Sequence, residues 1–260
     1  MSAPLADAAP AGGALARTVL EVDHVSVRFG GLDAVSDVSF AAEAGRVTGL
    51  IGPNGAGKTT TFNVITGLQR PTRGRIAIEG RDVTKMAPYK RARLGVARTF
   101  QRLEVFGSLT VYENILAAAE FHRAWSGDRT PPRDVAADTV ERVGLGSVID
   151  ARVDALPTGL ARLVELGRAL ATQPRLLLLD EVGSGLSHEE STALGDLMLS
   201  LAADGMAILL VEHHIELVMR VCSYIYVLDF GRLIASGSPT DIQHDPAVQR
   251  AYLGVAEEAG

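Results

Sequence analysis

The sequence predicts an α/β fold with a parallel-sheet core, an antiparallel β portion ahead of it and a helical segment inserted into it. Three observations carry this. A glycine-rich stretch, GPNGAGKTT, joins an apolar run to a helix-like one. A second apolar run, built of four leucines, ends on adjacent carboxylates at Asp180 and Glu181. Between the two, from about residue 103 to 173, the pattern turns helical, and strands resume beyond it.

The elements follow in order. Residues 20–22, 25–29, 34–40 and 75–79 read as strands, with turns at Gly30-Gly31 and Glu79-Gly80. Residues 47–51 enter the glycine stretch as a strand and 60–65 leave it as a helix. Thr110 and Glu113 form a capping box that opens a helix, and Pro131-Pro132 precedes another with Val135, Thr139 and Val143 on one side. A further helix is expected at 161–171. The strand at 175–180 leads to a helix starting at Ser187, where Glu190 completes a second capping box. Its apolar stripe is Ala193, Leu194, Leu197, Met198 and Leu201, and Gly205 stops it. Residues 206–211 form the next strand. Residues 224–229 and 232–235 close the fold as a hairpin around Phe230-Gly231.

Composition narrows the function classes. A chain of 260 residues with 47% hydrophobic content can bury a sizeable core. The net charge of −6 argues against a nucleic-acid partner. Cys222 is the single cysteine, so no internal disulfide forms, and no Cys/His spacing suits a metal. No apolar run is long enough to span a bilayer. Residues 1–18 lack the basic start and apolar block of a secretory signal and are expected to form a disordered tail.

The glycine stretch fits the phosphate-loop pattern G-x-x-x-x-G-K-[ST] at Gly52, Gly57, Lys58 and Thr59. Glycines let the backbone curl so that its N–H groups converge, and the helix N-terminus favours an anion there. Gly52, Pro53, Asn54, Gly55, Ala56, Gly57, Lys58, Thr59 and Thr60 are therefore the expected phosphate cradle. Lys58 would reach the β- and γ-phosphates, and the Thr59 hydroxyl would ligate Mg²⁺. A buried parallel strand explains the leucines before Asp180 but not the paired acids at its C-terminal end, where α/β ligand sites lie. Asp180 is expected near Mg²⁺ through water, and Glu181 as the general base that polarises the attacking water.

The order of these motifs resembles the ATP-binding subunit of an ABC transporter over nearly the whole chain, with residues 19–256 as the ATP-binding domain, 103–173 as its helical insertion and 257–260 as a C-terminal tail. Phe29 stands where that family places an aromatic that stacks on adenine. Gln101 matches the loop glutamine that senses Mg²⁺ and contacts the membrane subunits, and His213 the switch histidine that senses the γ-phosphate. Leu156, Pro157, Thr158, Gly159 and Leu160 occupy the position of the signature motif, which in the family grips the γ-phosphate bound by the opposite subunit. FGGL from Phe29, ARTFQ to Gln101, VEH to His213 and AYLG from Ala251 are similar to the ATPases of branched-chain amino acid importers. The resemblance implies ATP and Mg²⁺ as cofactors and a peripheral position on the cytoplasmic side of the cell membrane. It implies two membrane permease subunits, one seating a helix in a groove near Gln101 and Phe106, and a second ATP-binding subunit, like or unlike this one. An extracytoplasmic solute-binding protein is a further partner of such importers. A lipid-transporter ATPase, or a soluble or regulatory ABC ATPase, is the alternative reading.

The chain departs from the family on one surface. The signature is typically Leu-Ser-Gly-Gly-Gln, whereas Pro157, Thr158 and Leu160 replace the Ser, the first Gly and the Gln. Pro157 brings neither hydroxyl nor N–H. Val182 stands where Pro follows the Glu, and Ser187 where Asp closes the next loop. His214 also replaces an Asp and is given no role. Hydrolysis is therefore expected to be faster where this chain's Lys58 meets a partner's signature than where its own signature meets a partner's phosphate loop.

Overall fold

The computed structural model describes residues 17–257, and two sheets organise it. β1 (Thr18–Phe29) and β2 (Leu32–Glu43) form a long antiparallel hairpin. After β3 (Val47–Ile51), the phosphate loop and α1 (Lys58–Thr66), the chain returns as β4 (Arg73–Ile78) and the short β5 (Arg81–Asp82). These complete an antiparallel sheet of order β2-β1-β4-β5. The two strands expected before Gly30 are one strand. A bulge between Val22 and Val25, with His24 in the left-handed region at φ 49°, lets the chain pass without breaking the ladder. Of the tail expected at 1–18, residues 1–16 lie outside the described residues, while the Arg17 carbonyl accepts from the Ala44 N–H and Thr18 already opens β1. At the other end, 258–260 of the expected C-terminal tail are outside them too.

α2 (Pro88–Ala92) leads to β6 (Val96–Arg98). α3 (Val111–Ser126), α4 (Pro132–Arg142) and α5 (Thr158–Leu170) then stand between β6 and β7 (Leu176–Asp180). α5 starts three residues earlier than expected because Pro157 occupies its N-cap, where a missing N–H costs nothing. α6 (His188–Ala203), β8 (Ala207–Val211), α7 (Ile215–Val221), β9 (Tyr224–Asp229), β10 (Arg232–Gly237), α8 (Pro239–His244) and α9 (Pro246–Glu257) complete the chain. Both expected capping boxes form, Thr110 with Glu113 and Ser187 with Glu190. Ala193 falls outside the stripe of α6. Its neighbour Gly195 is buried instead, because a Cβ there would stand 3.2 Å from Leu217 on α7.

The central sheet has order β10-β9-β3-β8-β7-β6, parallel except for β10. β3, β7 and β8 are buried along their whole length, which is why they read as unbroken apolar runs. The order places the C-terminal ends of β3, β7 and β8 side by side, so the phosphate loop, the Asp180-Glu181 pair and His213 arrive at one edge.

Candidate functional site

The phosphate loop is shaped by backbone contacts that only glycine permits. Gly52, Gly55 and Gly57 have φ of 150°, 80° and 102°. A Cβ on Gly52 would lie 2.0 Å from the Leu228 carbonyl oxygen, and one on Gly57 2.7 Å from that of Ala34. Lys58 is buried, and its Nζ donates to the carbonyls of Gly52 at 2.6 Å and Pro53 at 2.9 Å. The ammonium thus spans the loop and fixes its curl. Burial pushes its pKa down, and the charges of Glu181 and Asp180 oppose that shift. From the far end of the chain, the Tyr252 hydroxyl meets the Gly52 backbone; burial pushes it up to about 12.

Asn54, Gly55, Ala56, Gly57, Lys58, Thr59 and Thr60 line a cavity of about 690 Å³ that also takes in Gln101, Glu181 and His213. Gly52, Pro53 and Asp180 lie behind this lining. Phe29 does not reach it: it ends β1 at the hairpin tip, half exposed, and pairs across with Leu32. Leu32 and Phe230 stand on the cavity instead, Phe230 in a left-handed turn and 87% exposed. In the sequence, Phe230 reads only as part of the turn between two strands.

Glu181 follows β7 at φ 52°, a conformation that turns its side chain away from the strand. His213 Nε2 lies 2.8 Å from Glu181 Oε1, and Gln101 Nε2 donates to both carboxylate oxygens at 3.2 and 3.3 Å. Three residues that are distant in sequence therefore share one polar cluster beside the phosphate loop. Asp180 is differently placed. Its carboxylate is buried and accepts from Arg98 at 2.9 Å, while Arg98 also donates to Asn63 on α1 at 2.6 Å. Burial raises the Asp180 pKa, and the Arg98 contact counters it. Arg98 is a residue that the sequence pattern did not single out: it joins α1, β6 and β7 behind the phosphate loop.

Two further clamps hold the loops around the cavity. Glu212 is buried, and its oxygens accept from the backbone N–H of Gly183 at 2.6 Å and of His213 at 3.2 Å. One carboxylate thus holds both the loop after Glu181 and the loop that presents His213. On α5, Arg162 donates to the carbonyls of Phe100 at 2.7 Å and Gln101 at 2.6 Å, and Glu165 accepts from the Phe100 N–H at 3.0 Å. The signature helix therefore grips the glutamine loop. The signature itself has Pro157 and Thr158 exposed, Gly159 buried and Leu160 half-buried against the core. A Cβ on Gly159 would stand 2.9 Å from Leu186, so that glycine is fixed by packing inside the chain. Thr158 makes no side-chain cap to the helix. Ser187 caps a different helix, α6, its hydroxyl accepting from the Glu190 N–H.

A family model described as "ABC transporter" matches residues 35–184, and one described as "Branched-chain amino acid ATP-binding cassette transporter" matches 232–258. The chain belongs to the ABC transporter family. This ATP-binding cassette is 37% identical to the high-affinity branched-chain amino acid transport ATP-binding protein BraF of Pseudomonas aeruginosa, over 93% of this chain and all of that one. It is also 34% identical to the lipopolysaccharide export system ATP-binding protein LptB of Haemophilus influenzae, over 91% of this chain and 98% of LptB. Its fold superposes on the ADP conformation of MJ1267, an ATP-binding cassette of an ABC transporter, with a TM-score of 0.80 at 30% identity, covering 91% of this chain and 99% of that one. Cassettes of this family bind and hydrolyse ATP. Among the described residues of this cassette, no helix is long and apolar enough to cross a membrane.

Proposed function

We propose that this cassette is the ATP-hydrolysing subunit of an importer for branched-chain amino acids or similar small solutes. The observation that carries the solute class is the match of residues 232–258 to the branched-chain cassette model. In this reading the chain sits on the cytoplasmic face of the membrane, paired with a second ATP-binding subunit and seated under two permeases; a solute-binding protein delivers from the far side. The groove lined by Phe100, Phe106, Phe121 and Trp125, about 370 Å³, offers an apolar seat for a permease helix.

The site supports the following division of labour. The loop N–H groups and Lys58 bind the β- and γ-phosphates. Glu181 takes a proton as water attacks the γ-phosphorus, the bond to the β–γ bridging oxygen breaks, and ADP and phosphate leave. His213 and Gln101 orient the Glu181 carboxylate. Thr59, the side-chain oxygen of Gln101 and, through water, Asp180 would hold Mg²⁺. That fits a donor set in which the Gln101 amide nitrogen is committed to Glu181 and its oxygen is not. Mg²⁺ would supply charge neutralisation on the phosphates. Phe29 would stack on adenine only if the hairpin tip closed over the cavity.

The altered signature supports asymmetric hydrolysis. Pro157 offers no donor across the interface, and Leu160 is turned to its own core. The site built on this chain's Lys58 should therefore turn over faster than the one receiving Leu156–Leu160. Nucleotide trapped and assigned by site should accumulate unequally; equal turnover would remove the idea. The similarity to LptB keeps one second reading, a lipid-transporter ATPase. Purification of the tagged chain from native membranes in mild detergent separates the two. Two permeases and a second ATPase whose complex takes up amino acids support the importer. Co-purification with a lipid-handling complex favours the second reading, and recovery without any membrane protein overturns both.

A further inference from the structure

The chain carries its charge unevenly. Its net charge is −6, yet between Arg70 and Arg102 lie ten basic residues and two acidic ones. Two of the ten are used inside: Arg98 holds Asp180, and Arg91 is buried. The Arg91 guanidinium donates to the carbonyls of Val64 and Ile65 at 2.6 and 2.7 Å, to Met86 at 3.1 Å and to Thr84 at 3.1 Å. It caps the C-terminal end of α1 and pins α2 and the preceding loop to it. What α2 carries is therefore fixed to the phosphate-loop helix.

The remaining cations are exposed. Arg81, Lys85, Tyr89 and Lys90 line one shallow depression, and Arg93 follows on the same helix end. Among the described residues, Arg75 pairs with Glu21 and Asp23, whereas Arg81, Lys85, Lys90 and Arg93 have no carboxylate at ion-pair distance. The one acid in the depression, Asp82, is engaged by the Thr84 N–H at 2.8 Å. Tyr89 is 58% exposed, with the Lys90 ammonium 6.0 Å and the Arg93 guanidinium 5.7 Å from its ring centre. An exposed tyrosine flanked by cations is the composition of a membrane-interface anchor. The placement agrees: Ala92, at the end of the same helix, already lines the apolar groove offered to a permease helix.

We propose that this basic face, Arg81, Lys85, Tyr89, Lys90 and Arg93, rests on anionic phospholipid headgroups beside the permease. The proposal rests on the reading that the chain works at a membrane. Lipid is favoured over the permease itself because cytoplasmic loops of membrane proteins are enriched in Lys and Arg and would repel this face. It is favoured over nucleic acid because a single flanked tyrosine gives no row of stacking aromatics. Contact is local: charges beyond a Debye length of about 8 Å are screened, so the acidic remainder of the chain does not cancel the patch.

Flotation of the purified full chain with vesicles tests this, using phosphatidylcholine alone against phosphatidylcholine mixed with phosphatidylglycerol. Binding is expected only to the mixed vesicles and should fade with added salt. The triple variant Arg81→Gln, Lys85→Gln, Lys90→Gln should bind about a hundredfold more weakly, given roughly fivefold per cation near an anionic surface. A matched triple on exposed residues elsewhere, Arg123→Gln, Arg129→Gln, Arg133→Gln, should bind like the parent. Retained nucleotide binding shows that the first triple is folded; if it is not, the three single variants are read instead, each with a severalfold loss. Equal binding to both vesicles, equal loss in both triples, or stronger competition by RNA than by anionic vesicles would overturn the proposal. Because the vesicles hold no permease, failure here leaves the importer reading to its own test.

Discussion

Glu181 and Glu212 are the two carboxylates on which the chemistry turns, and they are set differently. Glu181 faces the cavity and His213, so Glu181→Gln should lower hydrolysis by at least about a hundredfold while leaving ATP binding and ATP-driven pairing intact. Normal turnover in that variant would show that the base lies elsewhere. Glu212 is buried as an acceptor for two backbone N–H groups, and burial raises its pKa against those hydrogen bonds. Glu165 is also raised, chiefly by burial. A carboxyl whose pKa is higher in the folded chain binds its proton more tightly there, so stability falls as pH rises from the ordinary carboxylate range through the raised value. Thermal unfolding across that window should show this slope, and Glu212→Gln should flatten it. The same variant should slow turnover more than it weakens ATP binding, because it loosens the loops carrying Glu181 and His213. The phosphate loop was legible in the sequence because its residue types are rare at such spacings, and the acidic pair, common by itself, was legible because it accompanies that loop. Glu212 was not. It reads as an ordinary strand-end acid until the adjacency of β7 and β8 brings Gly183 to it.

At the scale of elements, local chemistry was the most readable. Both capping boxes stood in the sequence as Thr-x-x-Glu and Ser-x-x-Glu. Thr110→Ala should cost about 1 kcal/mol, read as a lowered Tm. The loop before α3 was unreadable by comparison, since its anchor lies within the helix. Asn114 is fully buried, accepts from the Phe106 N–H at 2.9 Å and donates to the carbonyls of Phe106 at 3.0 Å and Thr110 at 2.9 Å. Asn114→Ala strands these groups and should cost about 2–3 kcal/mol. It should also loosen Phe106 on the groove and weaken recovery of membrane subunits with the chain. Undiminished recovery at full stability would show that the loop is held by other contacts. α2 and α7 escaped sequence reading because each is shorter than two full turns of clear periodicity. The bulge at His24 escaped because nothing in the residue types demands it.

For the whole molecule, topology does what the sequence order conceals. Strand order β3-β8-β7 places three separate motifs at one edge. The apolar runs announced these strands as buried, but the order of neighbours follows from packing across the sheet. The same packing sets two aromatic rings at different distances from the cavity. Phe29 stops at the hairpin tip, while Phe230, two hundred residues later, reaches the cavity. Phe230→Ala should weaken ATP binding severalfold if its ring covers the base, with stacking worth about 1–3 kcal/mol by analogy with nucleic-acid bases. Titration of Phe230→Ala beside Phe29→Ala with nucleotide would rank the two rings.

The contact between the Tyr252 hydroxyl and the Gly52 backbone has a consequence for biosynthesis. Gly52 leaves the ribosome long before Tyr252, so the phosphate loop emerges early and waits, without this brace, until α9 arrives. A nascent chain arrested before α9 would display every nucleotide-binding motif with one of its supports missing. Tight binding of nucleotide would then depend on synthesis having passed α9, and the order of synthesis would itself delay ATP capture until that helix is in place.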